Sequence, residues 1–214
     1  DDALRLLQGT FPSGLLEREP TGEENQPLER TKLADSLRIT DETFGIAAHH
    51  LTEDEIVHLI QKWIKDDKSS FLLEALENPG STVTEIADAI QRFRFVGVEP
   101  REMTRPVPMA MNVSLVRRFF SDELDFINTA KNYVGVNDFF DLAQRIICPP
   151  NGHGKLGGKS SGLFLASQIL KKSTEYQDLL SDIKVPKTWY VTSDGLLNFI
   201  QYNHLEDVYN RKYL

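Results

Sequence analysis

The sequence predicts a mainly α protein, in which a helical N-terminal module is followed by the first helix-strand-helix elements of an α/β domain. Two observations predict the module: apolar residues recur at helical spacing from about residue 33 onward, and two capping boxes mark helix starts. A third observation predicts the change of architecture. A proline- and glycine-rich break at residues 148–154 precedes a helix, an extended apolar run and another helix.

Local signals predict the ends of the first helices. Thr52-Glu-Asp-Glu55 is a capping box, and a short helix over residues 70–77 ends at Asn78-Pro79-Gly80. Thr82-Val-Thr-Glu85 is the second capping box and starts the next helix, which leads into a proline-bearing connector over residues 99–108.

Hydrophobic periodicity predicts the rest of the module. The apolar stripe over residues 113–130 indicates one continuous helix, the strongest in the chain. Asn137 can cap another helix that runs to about Ile147, just before the break.

The elements after the break differ from those before it. Residues 159–171 indicate a helix, Val185–Thr192 reads as a strand from its aromatic and β-branched content, and Ser193 can cap a final helix. Since one strand cannot make a sheet, apolar surface should stay exposed. We therefore expect a homodimer, or packing of this strand against a neighbour, unless further chain covers it.

Composition and charge restrict the class of function. Residues 1–60 carry 5 Lys and Arg against 13 Asp and Glu, so the whole net charge of −8 lies there, which argues against a basic duplex-binding face. The single Cys148 excludes an internal disulfide and favours a cytoplasmic location. No apolar run has the length of a membrane span, and no zinc-ligand spacing is present.

The most informative segment is Lys155–Gly162, which joins a glycine pair, a lysine and two serine hydroxyls to the start of a helix. Backbone N–H groups and the positive end of the helix dipole, with an ammonium alongside, suit a phosphate. The segment is not a Walker A loop, because His153 stands where the first glycine of that motif should be.

A family resemblance follows from two motifs in order. Leu156-Gly-Gly-Lys-Ser-Ser-Gly-Leu163, then Val185-Pro-Lys-Thr-Trp-Tyr-Val-Thr192 and an amphipathic helix, resemble the opening of the nucleotide-binding domain in the pyruvate phosphate dikinase and phosphoenolpyruvate synthase family. The resemblance covers residues 154–203, with Ser160 where the family usually has Gly. It implies an ATP-grasp-type fold that binds Mg-ATP and phosphorylates a histidine on a mobile domain, which in turn phosphorylates pyruvate in a barrel domain.

The resemblance assigns ATP phosphate binding to four residues. Lys159 would lie at the phosphates, while Gly157 and Gly158 would let the backbone approach and Ser160 would complete the loop. The family's catalytic histidine segment and metal-binding carboxylates are absent from the sequence. We therefore expect this sequence to be the N-terminal part of an ATP-dependent phosphotransferase. Alone, without the C-terminal domains of the same chain, it should be inactive.

This interpretation divides the chain into four segments. They are a mobile acidic arm (1–30), the helical module (31–148), a linker (149–156) and the incomplete start of an ATP-grasp-like nucleotide-binding domain (157–214).

An alternative is a non-catalytic helical interaction or regulatory module. In it residues 81–96 resemble a degenerate helix-turn-helix, with phosphate contacts from Arg92 and Arg94. His49-His50 could bind a metal, or could lie at a helix end. Arg117-Arg118 could bind an anion, or could lie on the solvent-facing side of a helix. Trp63 and Trp189 are core or interface anchors on either interpretation.

Overall fold

The computed structural model describes residues 33–173, 180 and 183–207 of the 214-residue chain. The predicted acidic arm, residues 1–30, lies outside the described residues. The chain divides into two units, residues Asp1–Ile64 and Lys65–Leu214, and each is described by itself.

Helices dominate the described residues, which confirms the predicted mainly α class. The two strands are short and the elements follow the chain in a simple order. They are α1 (Leu33–His50), α2 (Glu53–Glu77), α3 (Val83–Val96), a 3-10 turn (Pro100–Glu102), α4 (Pro106–Phe119), α5 (Leu124–Ala130), α6 (Val136–Ala143), β1 (Ile146–Ile147), α7 (Gly158–Lys172), β2 (Tyr190–Val191) and α8 (Ser193–Tyr202).

The first unit contains α1 and the start of α2. The predicted capping box is present: the Thr52 N–H donates to the Glu55 carboxylate at 2.8 Å, and the Glu55 N–H donates to the Thr52 hydroxyl at 3.4 Å. His49 and His50 form the end of α1, as the helix-end interpretation expects. The short helix predicted over residues 70–77 is instead the last part of α2, whose bounds are Glu53 and Glu77.

The second capping box also forms as predicted. The Thr82 N–H donates to the Glu85 carboxylate at 2.7 Å, and the Glu85 N–H donates back to the Thr82 hydroxyl at 3.1 Å. The other end of α3 is closed by Gly97 at φ 70°, a left-handed conformation that glycine adopts without strain. The predicted connector proves shorter than residues 99–108, because α4 begins at Pro106.

The long helix predicted over residues 113–130 is wrong, because α4 and α5 are separate helices. Phe120 leaves the helical conformation at φ −118° and ψ −81°, and the Ser121 hydroxyl accepts the Glu123 N–H at 3.1 Å. The break turns the Phe120 ring into a cluster of aromatic side chains, so tertiary packing overrides the continuous apolar stripe.

The prediction for residues 137–147 also changes. α6 begins two residues earlier than predicted, because its cap is Gly135 and not Asn137; the Gly135 N–H donates to the Asp138 carboxylate at 3.0 Å. It ends at Ala143, and Ile146 and Ile147 form β1, which pairs in parallel with Tyr190 and Val191 of β2. Residues Val185–Trp189 of the predicted strand carry no strand pairing.

One hydrophobic core runs through the second unit. Phe139 is fully buried, and its ring centroid lies 5.5 Å from that of Phe119, 5.3 Å from that of Phe120 and 6.0 Å from that of Phe164. Since Phe164 belongs to α7, the core extends across the predicted linker, residues 149–156, which lies within the second unit. The assignment of residues 157–214 to an ATP-grasp-like domain stays a prediction.

The surface of α8 is largely apolar. None of its residues is buried, and Leu196, Leu197 and Phe199 are each at least half exposed. Trp189, one of the two predicted anchors, is 56% exposed and so lies outside the core. Apolar surface is therefore exposed around β2, as the sequence predicts, whereas the homodimer stays a prediction.

Candidate functional site

The predicted phosphate-binding residues form the N-terminus of α7. Gly157 is the N-cap and supplies no side-chain acceptor, and the helix begins at Gly158. The N–H groups of Gly158, Lys159 and Ser160 have no hydrogen-bond partner among the described residues, whereas the Ser161 N–H closes the first turn on the Gly157 carbonyl at 3.0 Å. Three N–H groups at the positive end of a helix are thus available to an acceptor.

The glycines of this segment have no role in packing. A Cβ atom added at Gly157 or Gly158 would meet nothing within 4 Å, and Gly157 has an ordinary φ of −65°. Gly162, in the second turn of α7, also has open space around it, although glycine in a helix interior costs about 1 kcal/mol relative to alanine. Open space at the helix start lets another molecule approach the backbone closely.

The glycines before this segment have a different role. A Cβ atom at Gly152 would lie 2.9 Å from both the Pro149 carbonyl and the Asp194 carboxylate, and one at Gly154 would collide with Asp194. The fold therefore requires glycine at residues 152 and 154 but not at residues 157 and 158.

The two hydroxyls and two lysines of Lys155–Gly162 also divide by role. The Ser161 hydroxyl is buried and donates to the Gly157 carbonyl at 3.0 Å, whereas Ser160 is half-buried and makes no side-chain hydrogen bond to a described residue. The Lys155 ammonium pairs with the Asp122 carboxylate. Lys159 is exposed and forms no ion pair within the described ranges, so its charge is available to a ligand.

The Asp122 carboxylate pairs with two basic side chains near the start of α7, those of Lys155 and Arg117. The carboxylate accepts from Lys155 and, at 3.3 Å, from the Arg117 Nε. The hydrogen bond from Lys155, helped by the one from Arg117, holds the pKa of Asp122 below its ordinary value against the opposing effect of burial. Lys155 and Arg117 are therefore already paired within the fold, which leaves Lys159 as the better candidate to meet a phosphate.

The backbone before α7 is held by three neighbouring elements. The Gly152 carbonyl accepts the Val83 N–H of α3 at 2.8 Å, and the Leu156 N–H donates to the Phe119 carbonyl of α4 at 2.8 Å. The Lys155 carbonyl accepts the Ser193 N–H of α8 at 3.0 Å, and Leu156 forms an isolated bridge with Thr192. The start of α7 is therefore placed beside the start of α8.

Sequence reasoning missed Asp194. Its carboxylate accepts the N–H groups of His153 at 2.8 Å, Gly154 at 3.0 Å and Gly195 at 2.9 Å. Burial raises the pKa of Asp194, but hydrogen bonds from the Thr192 hydroxyl and from these backbone groups outweigh it, so the pKa lies below its ordinary value. The sequence does place an acidic residue in the first turn of a predicted helix, which is a common position for one. It gives no sign of the long-range partners, the N–H groups of His153 and Gly154.

The cap of α8 was assigned one residue too late. The residue that caps it is Thr192, whose hydroxyl accepts the Gly195 N–H at 3.4 Å, and Ser193 is the first residue of the helix.

The remaining candidate residues do not converge on another site. The guanidinium of Arg92 lies 4.1 Å above the Phe71 ring and that of Arg94 lies 4.2 Å above the Phe140 ring. Residues 97–105 separate α3 from α4, which is longer than the turn of a helix-turn-helix.

Arg117 and Arg118 differ in environment. Arg117 is exposed, as predicted for the wet side of the helix. Arg118 is half-buried, donates to the Ser81 carbonyl, and has a buried Nε without a partner in the structure as described. Neither arginine forms a hydrogen bond or ion pair with Gly157, Gly158, Lys159 or Ser160; their described partners are Asp122, Ser81 and His153.

Residues 33–173, 180 and 183–207 contain neither a cluster of metal ligands nor a membrane-spanning helix. No group of three or more His, Cys, Asp or Glu side chains is arranged to hold a metal ion there. No helix in that part of the chain combines the length and apolar character that crossing a bilayer requires.

Comparison of the chain with protein-family models, with curated proteins and with solved structures finds no match. The resemblance to the pyruvate phosphate dikinase and phosphoenolpyruvate synthase family therefore rests on the two motifs alone.

Proposed function

We propose that residues Gly157, Gly158, Lys159 and Ser160 bind the phosphates of ATP, and that the chain forms the N-terminal part of a phosphotransferase resembling phosphoenolpyruvate synthase and pyruvate phosphate dikinase. The observation that carries the proposal is the start of α7. Its three N–H groups have no partner among the described residues, its exposed lysine forms no ion pair with any of them, and its two glycines leave open space.

The chemistry follows from this arrangement. N–H groups at a helix N-terminus donate hydrogen bonds to the negative oxygens of a phosphate, and the Lys159 ammonium adds a charge-assisted hydrogen bond. In phosphoryl transfer, such donors stabilise the charge that moves onto the leaving phosphate. The role assigned to these four residues is to bind and orient the nucleotide, and no described residue is assigned a catalytic role.

The metal of Mg-ATP needs no protein cluster in this segment. Mg²⁺ usually keeps several waters and binds nucleotide phosphates with one or two carboxylates. Since the described residues contain no cluster of metal ligands, we assign none of them to Mg²⁺. The Mg-binding carboxylates and the phosphate acceptor belong, on the family resemblance, to C-terminal domains of the same enzyme.

The alternative is a non-catalytic helical interaction or regulatory module, and the geometry does not support the degenerate helix-turn-helix that it could contain. Arg92 and Arg94 stack on the protein's own aromatic rings, and α3 and α4 lack the short turn of a helix-turn-helix.

Nucleotide protection of Lys159 tests the proposal. With an amine-reactive reagent and the full chain, ATP is expected to slow modification of Lys159 but not of Lys171, an exposed lysine in the last turn of the same helix. Lys159→Ala should weaken ATP binding by about 10- to 100-fold, the loss of one charge-assisted contact, while Lys171→Ala should leave it unchanged. Equal modification of Lys159 with and without saturating ATP would contradict the proposal.

A further inference from the structure

We propose that Asp194 is a positioning residue that holds the phosphate-binding start of α7 in place before the nucleotide arrives. This inference rests on the proposed function and adds to it a residue that the family resemblance does not assign. The evidence is the set of contacts that the carboxylate makes across the chain to residues 153 and 154.

Asp194 connects two helix starts. It is the second residue of α8, so one carboxylate oxygen accepts the Gly195 N–H of its own helix at 2.9 Å. The other oxygen accepts the N–H groups of His153 and Gly154, which lie four to five residues before α7 begins. A single side chain thus fixes the backbone that leads into the phosphate-binding residues.

The packing around Asp194 shows that the contact is tight. No Cβ atom fits at Gly154, because the carboxylate and backbone N of Asp194 occupy that space, and one at Gly152 would meet both the Asp194 carboxylate and the Pro149 carbonyl at 2.9 Å. The neighbouring Ser193 N–H donates to the Lys155 carbonyl at 3.0 Å, so α8 holds residues 153–155 through both a side chain and its backbone.

Such an arrangement affects binding through preorganisation. Three free N–H groups bind a phosphate best when their directions are fixed in advance, because ordering a loose loop on binding reduces affinity. Charge-assisted hydrogen bonds from a carboxylate to backbone N–H groups are stronger than neutral ones, so aspartate suits this task better than asparagine. Asp194 has no proposed contact with the nucleotide itself.

The test uses Asp194→Asn in the full chain, with two measurements. Amide hydrogen exchange without nucleotide reports whether His153 and Gly154 lose protection. ATP titration by calorimetry then reports affinity, and we expect it to be about tenfold weaker, because the loosened backbone must then be ordered when the nucleotide binds.

Glu102→Gln is the matched control, because the Glu102 carboxylate also accepts a backbone N–H, from Glu99 at 3.1 Å, and its other described partner is Lys65, which lies outside α7 and residues 152–155. We expect it to leave both ATP affinity and exchange at residues 153 and 154 unchanged. If Asp194→Asn speeds exchange at those amides but leaves ATP affinity at the wild-type value, Asp194 has a structural role only and the inference is overturned.

The same measurements separate the failure of this inference from that of the proposed function. If the wild-type chain does not bind ATP, the proposed function fails and the inference falls with it. If the wild type binds ATP and Lys159→Ala weakens binding, but Asp194→Asn alters neither exchange nor affinity, then the inference about Asp194 is wrong and the proposed function stands.

Discussion

Lys159, Gly157 and Gly158 are residues whose identity the fold itself does not explain. The lysine forms no ion pair within the described residues, and the two glycines neither adopt a left-handed conformation nor approach another atom closely. Gly154 provides the contrast, because the Asp194 carboxylate leaves no room there for a side chain. The proposed phosphate ligand would account for these residue types, since a phosphate fits an ammonium, N–H groups at a helix start and open space.

The lowered pKa of Asp194 leads to a prediction about how the free energy of unfolding depends on pH. Its pKa in the fold lies below the ordinary value of about 3.9, so its hydrogen bonds stabilise the fold fully above that pH and are lost as the pH falls through the lowered pKa. Asp194→Asn should therefore reduce the free energy of unfolding by a constant amount above about pH 5, and the difference from wild type should shrink below about pH 4. Urea denaturation of both proteins across this range measures it, and a pH-independent difference would contradict the expectation.

At the scale of elements, what could be predicted depended on whether the deciding contacts were local. Both capping boxes and the end of α2 were correct, because Thr52 and Thr82 find their partners three residues away. The break at Phe120 could not be predicted, because its cause is an aromatic cluster assembled from distant helices. β1 was likewise missed, since Ile146 and Ile147 become a strand by pairing with residues more than forty positions away.

The candidate site shows the same division. The helix start at Gly158 could be predicted from residue types and order, because a helix N-terminus is a local structure, whereas phosphate binding there stays a prediction. The roles of Lys155 and Asp194 were not legible, because they depend on Asp122 and on the turn at residues 152–154, which only the folded chain brings to them.

The contrast between the aromatic cluster and α8 gives a stability prediction. Phe139 is fully buried against three other rings, so Phe139→Ala should lower the free energy of unfolding by about 3–5 kcal/mol. Phe199 is 58% exposed on α8, so Phe199→Ala should change it by no more than about 0.5 kcal/mol. Urea denaturation of the two variants beside wild type checks both values, and equal losses would show that the face of α8 is covered in the protein.

At the scale of the whole molecule, the net charge is distributed unevenly along the chain. The net charge of −8 lies in residues 1–60, and the remaining residues carry 19 acidic and 19 basic side chains. The part that contains α7 therefore has no net charge to repel an anionic nucleotide. Its core also joins α7 to the helices before it, so the proposed phosphate site is supported by the same packing that stabilises the second unit.

The most direct test of ATP phosphate binding at the start of α7 is an amide NMR titration of the full chain with Mg-ATP, with adenosine as the matched ligand that lacks phosphates. We expect the largest shifts at the amides of Gly158, Lys159 and Ser160 with ATP, and no shifts there with adenosine. Shifts centred on other residues, or the same shifts with both ligands, would contradict the assignment of the phosphates to this helix start.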